Sequence, residues 1–384
     1  MASPSDGAAA AAGASPQARS RRETSPLGEG SPVVVAVDAN GADLGPAEVA
    51  AGAAIAAGQG VRSLLFGPAE KFGPIDAPAG LVEVVDAPVS IAKVADPVAA
   101  ARSTKDASIV LAAQAVAEGR ADALVSGGST GAALAAGLLN MKRSHGIYRP
   151  ALALPIPVPG GRPPVTLLDV GANTEVRPEH LVQFAFMGAA LAKTVLGIAR
   201  PRVALLSNGT EAIKGTPLVQ EAHRLLAERA AASPLVDFVG NTEGNVVMDG
   251  EADVVVADGF TGNVALKLIE GVSSATLRSV REAATGSSWG KLGGLLLRSD
   301  LRTLRAEIDP EAQGGAYLLG LRKLGVVPHG RFSRTGFGQA ILLAARGVRN
   351  DVVGQTHAAL AEAGALKGPA PLASATATTV EQTP

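Results

Sequence analysis

The chain has 384 residues, 47% hydrophobic and 18% charged, with a formal net charge of −1. This suits a soluble globular α/β protein with a substantial core and excludes a general nucleic-acid binder, whose footprint is strongly basic. The absence of cysteine excludes disulfides and every mechanism that passes through an acyl-cysteine.

No apolar run reaches the roughly 18 residues that a membrane-spanning helix needs. Residues 1–31, rich in Ala, Ser, Gly and Pro without hydrophobic periodicity, read as a disordered tail. A twin-arginine signal is not expected at Arg21-Arg22, because ETSPLGEG follows where an apolar segment belongs. A second disordered tail is expected over 365–384, and one α/β domain over 32–350.

Val33–Val37 reads as a buried strand ending in the polar stretch Asp38–Pro46, and Glu48–Gln59 as an Ala-rich helix. Strands follow at Ser63–Phe66 and Leu81–Val85, then a helix over Ser108–Glu118. The strand Ala123–Ser126 runs into Gly127-Gly128-Ser129-Thr130-Gly131 and a helix through Met141. Val165, Leu167, Leu168 and Val170 form a strand that ends in Asp169, Gly171, Ala172 and Asn173, with a helix opening at Pro178. Val203–Leu206 leads through Ser207–Thr216, which holds Lys214, to a helix from Pro217. Val254–Ala257 leads through Asp258-Gly259-Phe260-Thr261-Gly262-Asn263 to another helix. Gly325–Val327 and His329-Gly330 precede the helix Gln339–Arg346.

Five times an apolar strand runs into a Gly/Asn/Asp/Thr loop and out into a helix. Such strands predict a doubly wound, mostly parallel sheet covered on both faces. Right-handed crossovers would set all five loops on one edge, where ligands of α/β sheets bind. Each loop taken singly is also an ordinary turn or helix cap.

No G-x-G-x-x-G, P-loop or H-E-x-x-H pattern is present, so neither a dinucleotide nor a metal is expected. Gly127–Gly131 is a literal G-x-S-x-G between strand and helix. A serine hydrolase would pair Ser129 with an acid such as Asp258 and a base such as His329. The alternative is anion binding, in which Gly127, Gly128, Gly131, Gly259 and Gly262 let backbone N–H groups approach a phosphate and Lys214 adds charge.

The segments VDANGADLGP, LDVGANTEVRPEHLVQFAFMG, VALLSNGTEAIKG and ADVVVADGFTGNVALKLIEG, in that order between about Val33 and Val348, closely resemble the bacterial acyl-ACP:phosphate acyltransferase family. The resemblance implies transfer of a fatty acyl group from acyl carrier protein to inorganic phosphate. The acyl phosphate formed then serves a membrane-bound glycerol-phosphate acyltransferase in phospholipid synthesis. It also implies a cytoplasmic homodimer with a fold like isopropylmalate dehydrogenase and phosphotransacetylase. Three motifs depart from the family: D-x-M-G-G-D is Asp38–Asp43 with Asn40 and Ala42, S-A-G-N-T-G carries Ser129, and H-G-S-S is His329-Gly330-Arg331-Phe332.

Such a reaction asks mainly for positioning and oxyanion stabilisation, because phosphate is already nucleophilic and a thiolate is a good leaving group. The expected donors are Asn173, Asn263, Thr130, Thr261 and loop N–H groups. Lys214 and the glycine loops are assigned to phosphate, with a solvated loop lysine as the alternative for Lys214, and His329 fits either protonation of the departing thiolate or a capping role.

Thr276–Ile308 breaks the strand–loop–helix rhythm and is expected to be an inserted helical hairpin hinged at Gly286-Ser287-Ser288. Leu297, Leu301, Leu304 and Ile308 recur at helical spacing, accompanied by Trp289, Lys291, Arg298, Arg302 and Arg305. Three roles fit this pattern: internal packing, contact with an anionic membrane surface, or docking of the acidic carrier protein. Three functions compete accordingly: the transferase, a Ser129 hydrolase or thioesterase, and a catalytically impaired membrane-surface scaffold.

Overall fold

The computed structural model describes residues 32–367. The amino-terminal tail and all but 365–367 of the carboxy-terminal one lie outside the described residues.

The first part of the chain contains β1 (Val34–Asp38), α1 (Pro46–Ala57), β2 (Arg62–Gly67), β3 (Val82–Asp86), α2 (Pro97–Ser103) and α3 (Ser108–Ala117). It continues through β4 (Ala123–Ser126), α4 (Thr130–Ala136), β5 (Ala151–Val158), β6 (Arg162–Leu168) and α5 (Pro178–Leu196). Then come β7 (Arg202–Ser207), α6 (Pro217–Ala231), β8 (Asp237–Glu243), β9 (Val254–Val256) and the long α7 (Gly259–Thr285). The chain closes with α8 (Ser288–Leu296), α9 (Arg298–Glu307), α10 (Pro310–Gln313), β10 (Ala316–Leu319), β11 (Leu324–Val327), α11 (Arg334–Arg349) and α12 (Val352–Glu362).

These strands form one sheet in the order β3-β2-β1-β4-β11-β10-β5-β6-β9-β7-β8. β1, β2, β3, β4 and β11 pair in parallel, as do β6, β9, β7 and β8. Between the two blocks, β10 is antiparallel to both β11 and β5, and β5 is antiparallel to β6. Three reversals leave the blocks running in opposite directions. The expectation that all five polar loops leave one edge is therefore corrected. The loops after β1 and β4 leave by one edge, and those after β6, β9 and β7 by the other. Sheet twist then brings the edges toward each other, since roughly 20–25° per step accumulates to about 100° over the five steps from β4 to β9.

Helices cover both faces, as continuous apolar strands require. One face buries α1, α5, α6, α11 and α12 against residues such as Val35, Val37 and Leu205. The other buries α3 and α4 against Val34, Ala36 and Leu124. The fold runs on past residue 350. α12 packs on α5, and the buried Gln183 amide donates to the Gly146 and Ala365 carbonyls at 2.9 and 2.8 Å.

α7 does not wait for residue 276 to begin. It starts at the carboxyl end of β9 and runs unbroken for 27 residues. Gly259 and Gly262 set its first turn directly on the turn after β6. A Cβ at Gly259 would lie 2.6 Å from the Asn173 carbonyl oxygen, and one at Gly262 would overlap the Asp169 carbonyl. Gly286 closes α7, and the Ser287 hydroxyl caps α8 by accepting from the Gly290 N–H at 2.9 Å. Leu297 is the joint between α8 and α9 rather than part of one continuous amphipathic helix. Neither α8 nor α9 contains a buried residue.

Candidate active site

A cavity of about 780 Å³ lies where the two sheet edges converge. β5 presents Leu152, Leu154 and Ile156 on one side, and α7 presents Leu266, Ile269 and Leu277 on the other. One end is polar. There the β4–α4 loop brings Gly128, Ser129 and Thr130, α7 brings Asn263, Lys267 and Glu270, and the segment after β11 brings His329 and Arg331. Asn263, Lys267 and Glu270 follow i, i+4, i+7, so one helix face carries all three. A volume of this size suits a small-molecule site with an apolar body and a few polar anchors.

Two buried aspartates hold the loops that frame the polar end. Asp38, at the end of β1, accepts the Ser108 and Ser126 hydroxyls at 2.6 and 2.7 Å and the Asn40 N–H at 3.2 Å. Ser126 in turn accepts the Gly128 N–H at 3.4 Å, and the Asn40 amide ties down the Ala87 carbonyl at 3.1 Å. Burial pushes the Asp38 carboxyl up to about 6, against the lowering pull of Ser108, Ser126 and Asn40. Asp169, at the end of β6, accepts the N–H groups of Leu152, Gly171, Ala172 and Asn173 and the Asn173 amide, all within 3.1 Å. Burial again raises its carboxyl above the usual range, opposed by those hydrogen bonds.

Asn173 is buried, and its amide nitrogen donates to the Pro150 carbonyl at 2.7 Å and to Asp169 at 2.8 Å. Both amide hydrogens are thus directed into the protein, which places Asn173 as a brace of the turn. The Asn263 amide donates to the Val170 carbonyl at 2.9 Å and keeps its place on the cavity wall. Asp258 caps α7 through the Phe260 and Thr261 N–H groups and also accepts the Thr261 hydroxyl at 2.7 Å. Gly127 gives room to the Phe337 ring, and Gly131 to Pro97, so these glycines serve packing.

The Ser129 triad is not assembled. Its hydroxyl caps α4 by accepting from the Ala132 N–H at 3.1 Å, Asp258 is committed to α7, and His329 faces Lys267. Lys214 is exposed on the β7–α6 loop, on the same sheet edge as Asn263 but outside the cavity lining. Arg305, expected at a surface contact, lines the cavity, whereas Trp289, Leu297, Arg298, Leu301 and Arg302 stay outside it on the α8–α9 arm.

Sequence reasoning passed over Lys267, Glu270 and Arg331. Lys267 Nζ lies 3.5 Å from both a Glu270 oxygen and His329 Nε2, and Arg331 lies 3.5 Å from the same Glu270 oxygen. Burial first, then the charges of Arg331 and Lys267, hold the His329 imidazole below the usual histidine range. Its neutral form offers a single lone pair, so the Lys267 ammonium and the Arg331 N–H compete for it. Among the described residues no cluster of metal-ligating side chains occurs.

The model of the family described as "Fatty acid synthesis protein" matches residues 33–355. The phosphate acyltransferase of Lacticaseibacillus casei (strain BL23) is 44% identical over 322 residues, covering 83% of this chain and 93% of that relative. The phosphate acyltransferase of Geobacillus sp. (strain WCH70) is 42% identical over 321 residues, covering 83% and 96%. The chain belongs to the phosphate acyltransferase family.

It is an acyltransferase, and its fold is that of the phosphotransacetylases. The enzyme from Streptococcus pyogenes superposes with a TM-score of 0.55 at 18% identity, covering 84% of this chain and 95% of that one. The EutD phosphotransacetylase from Staphylococcus aureus gives 0.54 at 19%, covering 82% and 94%. These likenesses confirm the doubly wound α/β class. Within this acyltransferase, the cavity joins an apolar wall to a polar end built from both blocks of the sheet.

Two predictions follow from the braces of the polar end. Asn173→Ala strands two buried acceptors and should cost about 1–3 kcal/mol of stability. Activity should fall with the melting temperature; loss of turnover at unchanged stability would instead make Asn173 an oxyanion donor. Asp38 has a folded-state carboxyl raised from 3.8 to about 6, so the cost to folding grows as pH rises from about 4 and is complete above about pH 6. That penalty is relieved as pH falls toward 4. Chemical denaturation should show the wild type gaining roughly 2 kcal/mol on Asp38→Asn between pH 7.5 and pH 4; a constant difference would refute the assignment.

Proposed function

We propose that the protein transfers a fatty acyl group from the thioester of acyl carrier protein to inorganic phosphate. A hydrogen phosphate oxygen attacks the thioester carbonyl, the C–S bond breaks, and acyl phosphate leaves as one product. The proton lost by hydrogen phosphate ends on the carrier thiol, so charge and atoms balance. The observation that carries this reading is the cavity itself, where an apolar passage ends beside two cations, an amide and a neutral imidazole. The apolar walls of β5 and α7 suit an acyl chain. Asn263 is suited to the developing oxyanion, and the neutral His329 to accepting the proton of hydrogen phosphate and passing it to the departing sulfur. Lys267 supplies within the cavity the charge expected of Lys214.

The carrier protein and the membrane are the proposed macromolecular partners, with a membrane-bound glycerol-phosphate acyltransferase consuming the product for phosphatidic acid synthesis. The α8–α9 arm supports a peripheral, cytoplasmic-side role. Trp289 is 82% and Leu296 76% exposed, beside Leu295, Leu297 and the cations Arg298 and Arg302. Apolar side chains so exposed next to basic ones suit an anionic lipid surface or the acidic carrier. A homodimer is proposed on the outer stripe of α7, where Phe260, Val264 and Leu268 are exposed and outside the cavity lining. Light scattering reads that mass directly, and a monomer at micromolar concentration would reject it.

The test of the activity is purified protein with acyl carrier protein thioester, with and without phosphate. Acyl phosphate should form only when phosphate is present, and Ser129→Ala should retain most of that turnover. Phosphate-independent release of free fatty acid, abolished in Ser129→Ala, would establish a thioesterase instead. For the surface role, Trp289→Ala combined with Leu296→Glu should reduce co-sedimentation with anionic vesicles at least about tenfold while soluble turnover persists. Equal vesicle binding by the variant would reject membrane contact through this arm.

A further inference from the structure

The three charged groups at the polar end are arranged unlike most ion pairs of this protein. Pairs such as Arg62–Glu83, Arg202–Asp253 and Arg224–Glu221 close to 2.7–2.8 Å. Arg202 also reaches Asp253 through its Nε at 3.1 Å, a bidentate grip. Lys267 and Arg331, by contrast, both stand 3.5 Å from one oxygen of Glu270. A pair as long, Arg200–Asp237 at 3.6 Å, lies on open surface with its side chains 61% and 48% exposed. Here the cations Lys267 and Arg331 are 54% and 51% exposed, but the carboxylate of Glu270 is only 18% exposed, and all three line the cavity. Two cations share one carboxylate, and neither is held at hydrogen-bond distance. The cluster carries a net positive charge of one and offers donors that its own carboxylate does not saturate.

We propose that Lys267 and Arg331 seat the acceptor anion and that Glu270 restricts that seat to oxyanions still carrying a proton. The proposal deepens the reading of the chain as a transferase to phosphate and rests on it. An ionised carboxylate is an acceptor only. It welcomes an anion that can donate an O–H and repels one that cannot. Phosphate near neutral pH always carries at least one P–O–H, whereas sulfate carries none. With Glu270 mostly covered inside the cavity, water screens that repulsion less than it would on open surface. The two cations attract either anion, and Glu270 decides between them.

The decisive measurement is calorimetric titration of the full-length protein with phosphate, arsenate and sulfate. Arsenate is tetrahedral and protonated as phosphate is, so the wild type should bind both at least roughly tenfold tighter than sulfate. Glu270→Gln should bind sulfate about tenfold tighter than the wild type does, and sulfate should become a competitive inhibitor against phosphate. Arg331→Ser should raise KM for phosphate more than KM for the thioester. Sulfate bound within about twofold of phosphate by the wild type, or no binding of any of the three anions, would overturn the proposal. Should Glu270→Gln fail to fold, the wild-type anion series decides alone. Selective phosphate binding without acyl phosphate formation would sink the transferase reading and leave the seat standing. Turnover with equal competition by sulfate would do the reverse.

Discussion

The antiparallel seam of β10 and β5 is the constraint on which the rest of the structure depends. Each flanking block is an ordinary parallel sheet whose polar loops collect at its own carboxyl edge. The seam reverses one block against the other, and strand twist closes the angle between the two edges. A cleft results with loops from both blocks around it, which a single parallel sheet of this length would not enclose. The outward face of β5 becomes the apolar wall of that cleft, and α7 closes the opposite side.

The buried polar groups of the edges follow from the same geometry. Strand ends at a cleft carry backbone N–H groups that no neighbouring strand can satisfy. Asp169 gathers four of them together with the Asn173 amide, and Asp38 binds β1, β4 and α3 through two serine hydroxyls. Such carboxylates are costly to bury, which is why both stand above their usual range. What they provide is loops of one shape. Gly259 and Gly262 complete the arrangement by letting the helix that carries Asn263 and Lys267 rest on the Asp169–Asn173 turn without an intervening side chain.

The charged cluster differs in kind from these braces. It is half open, loosely paired and placed at the end of an apolar passage, where a ligand rather than the fold would satisfy it. The α8–α9 arm is equally unsatisfied by the fold, with no buried residue in either helix. Yet Leu304, Arg305 and Ile308 reach back to line the cavity, and Glu307 accepts the Gly160 N–H at 3.1 Å. The arm that offers apolar side chains to the outside therefore also forms part of the wall of the proposed acyl passage.

The sequence by itself determined the fold class, because continuous apolar strands alternating with helices can be buried only between helical layers. The resemblance carried by its loop motifs determined the family, since those segments recur in order along the chain. Local punctuation was legible too: Gly286-Ser287-Ser288 reads as a hinge from composition alone, and it separates α7 from α8. Strand direction was not legible, because an apolar run reads the same in either orientation, and so the loops were expected on one edge. Nor was the role of Asn173, whose partner Pro150 lies 23 residues away. Lys267 and Glu270 looked like ordinary charges on an amphipathic helix, although their spacing from Asn263 already put them on its face. Only the tertiary structure decided that this face looks into a cavity, because burial of a helix side depends on what the rest of the chain packs against it.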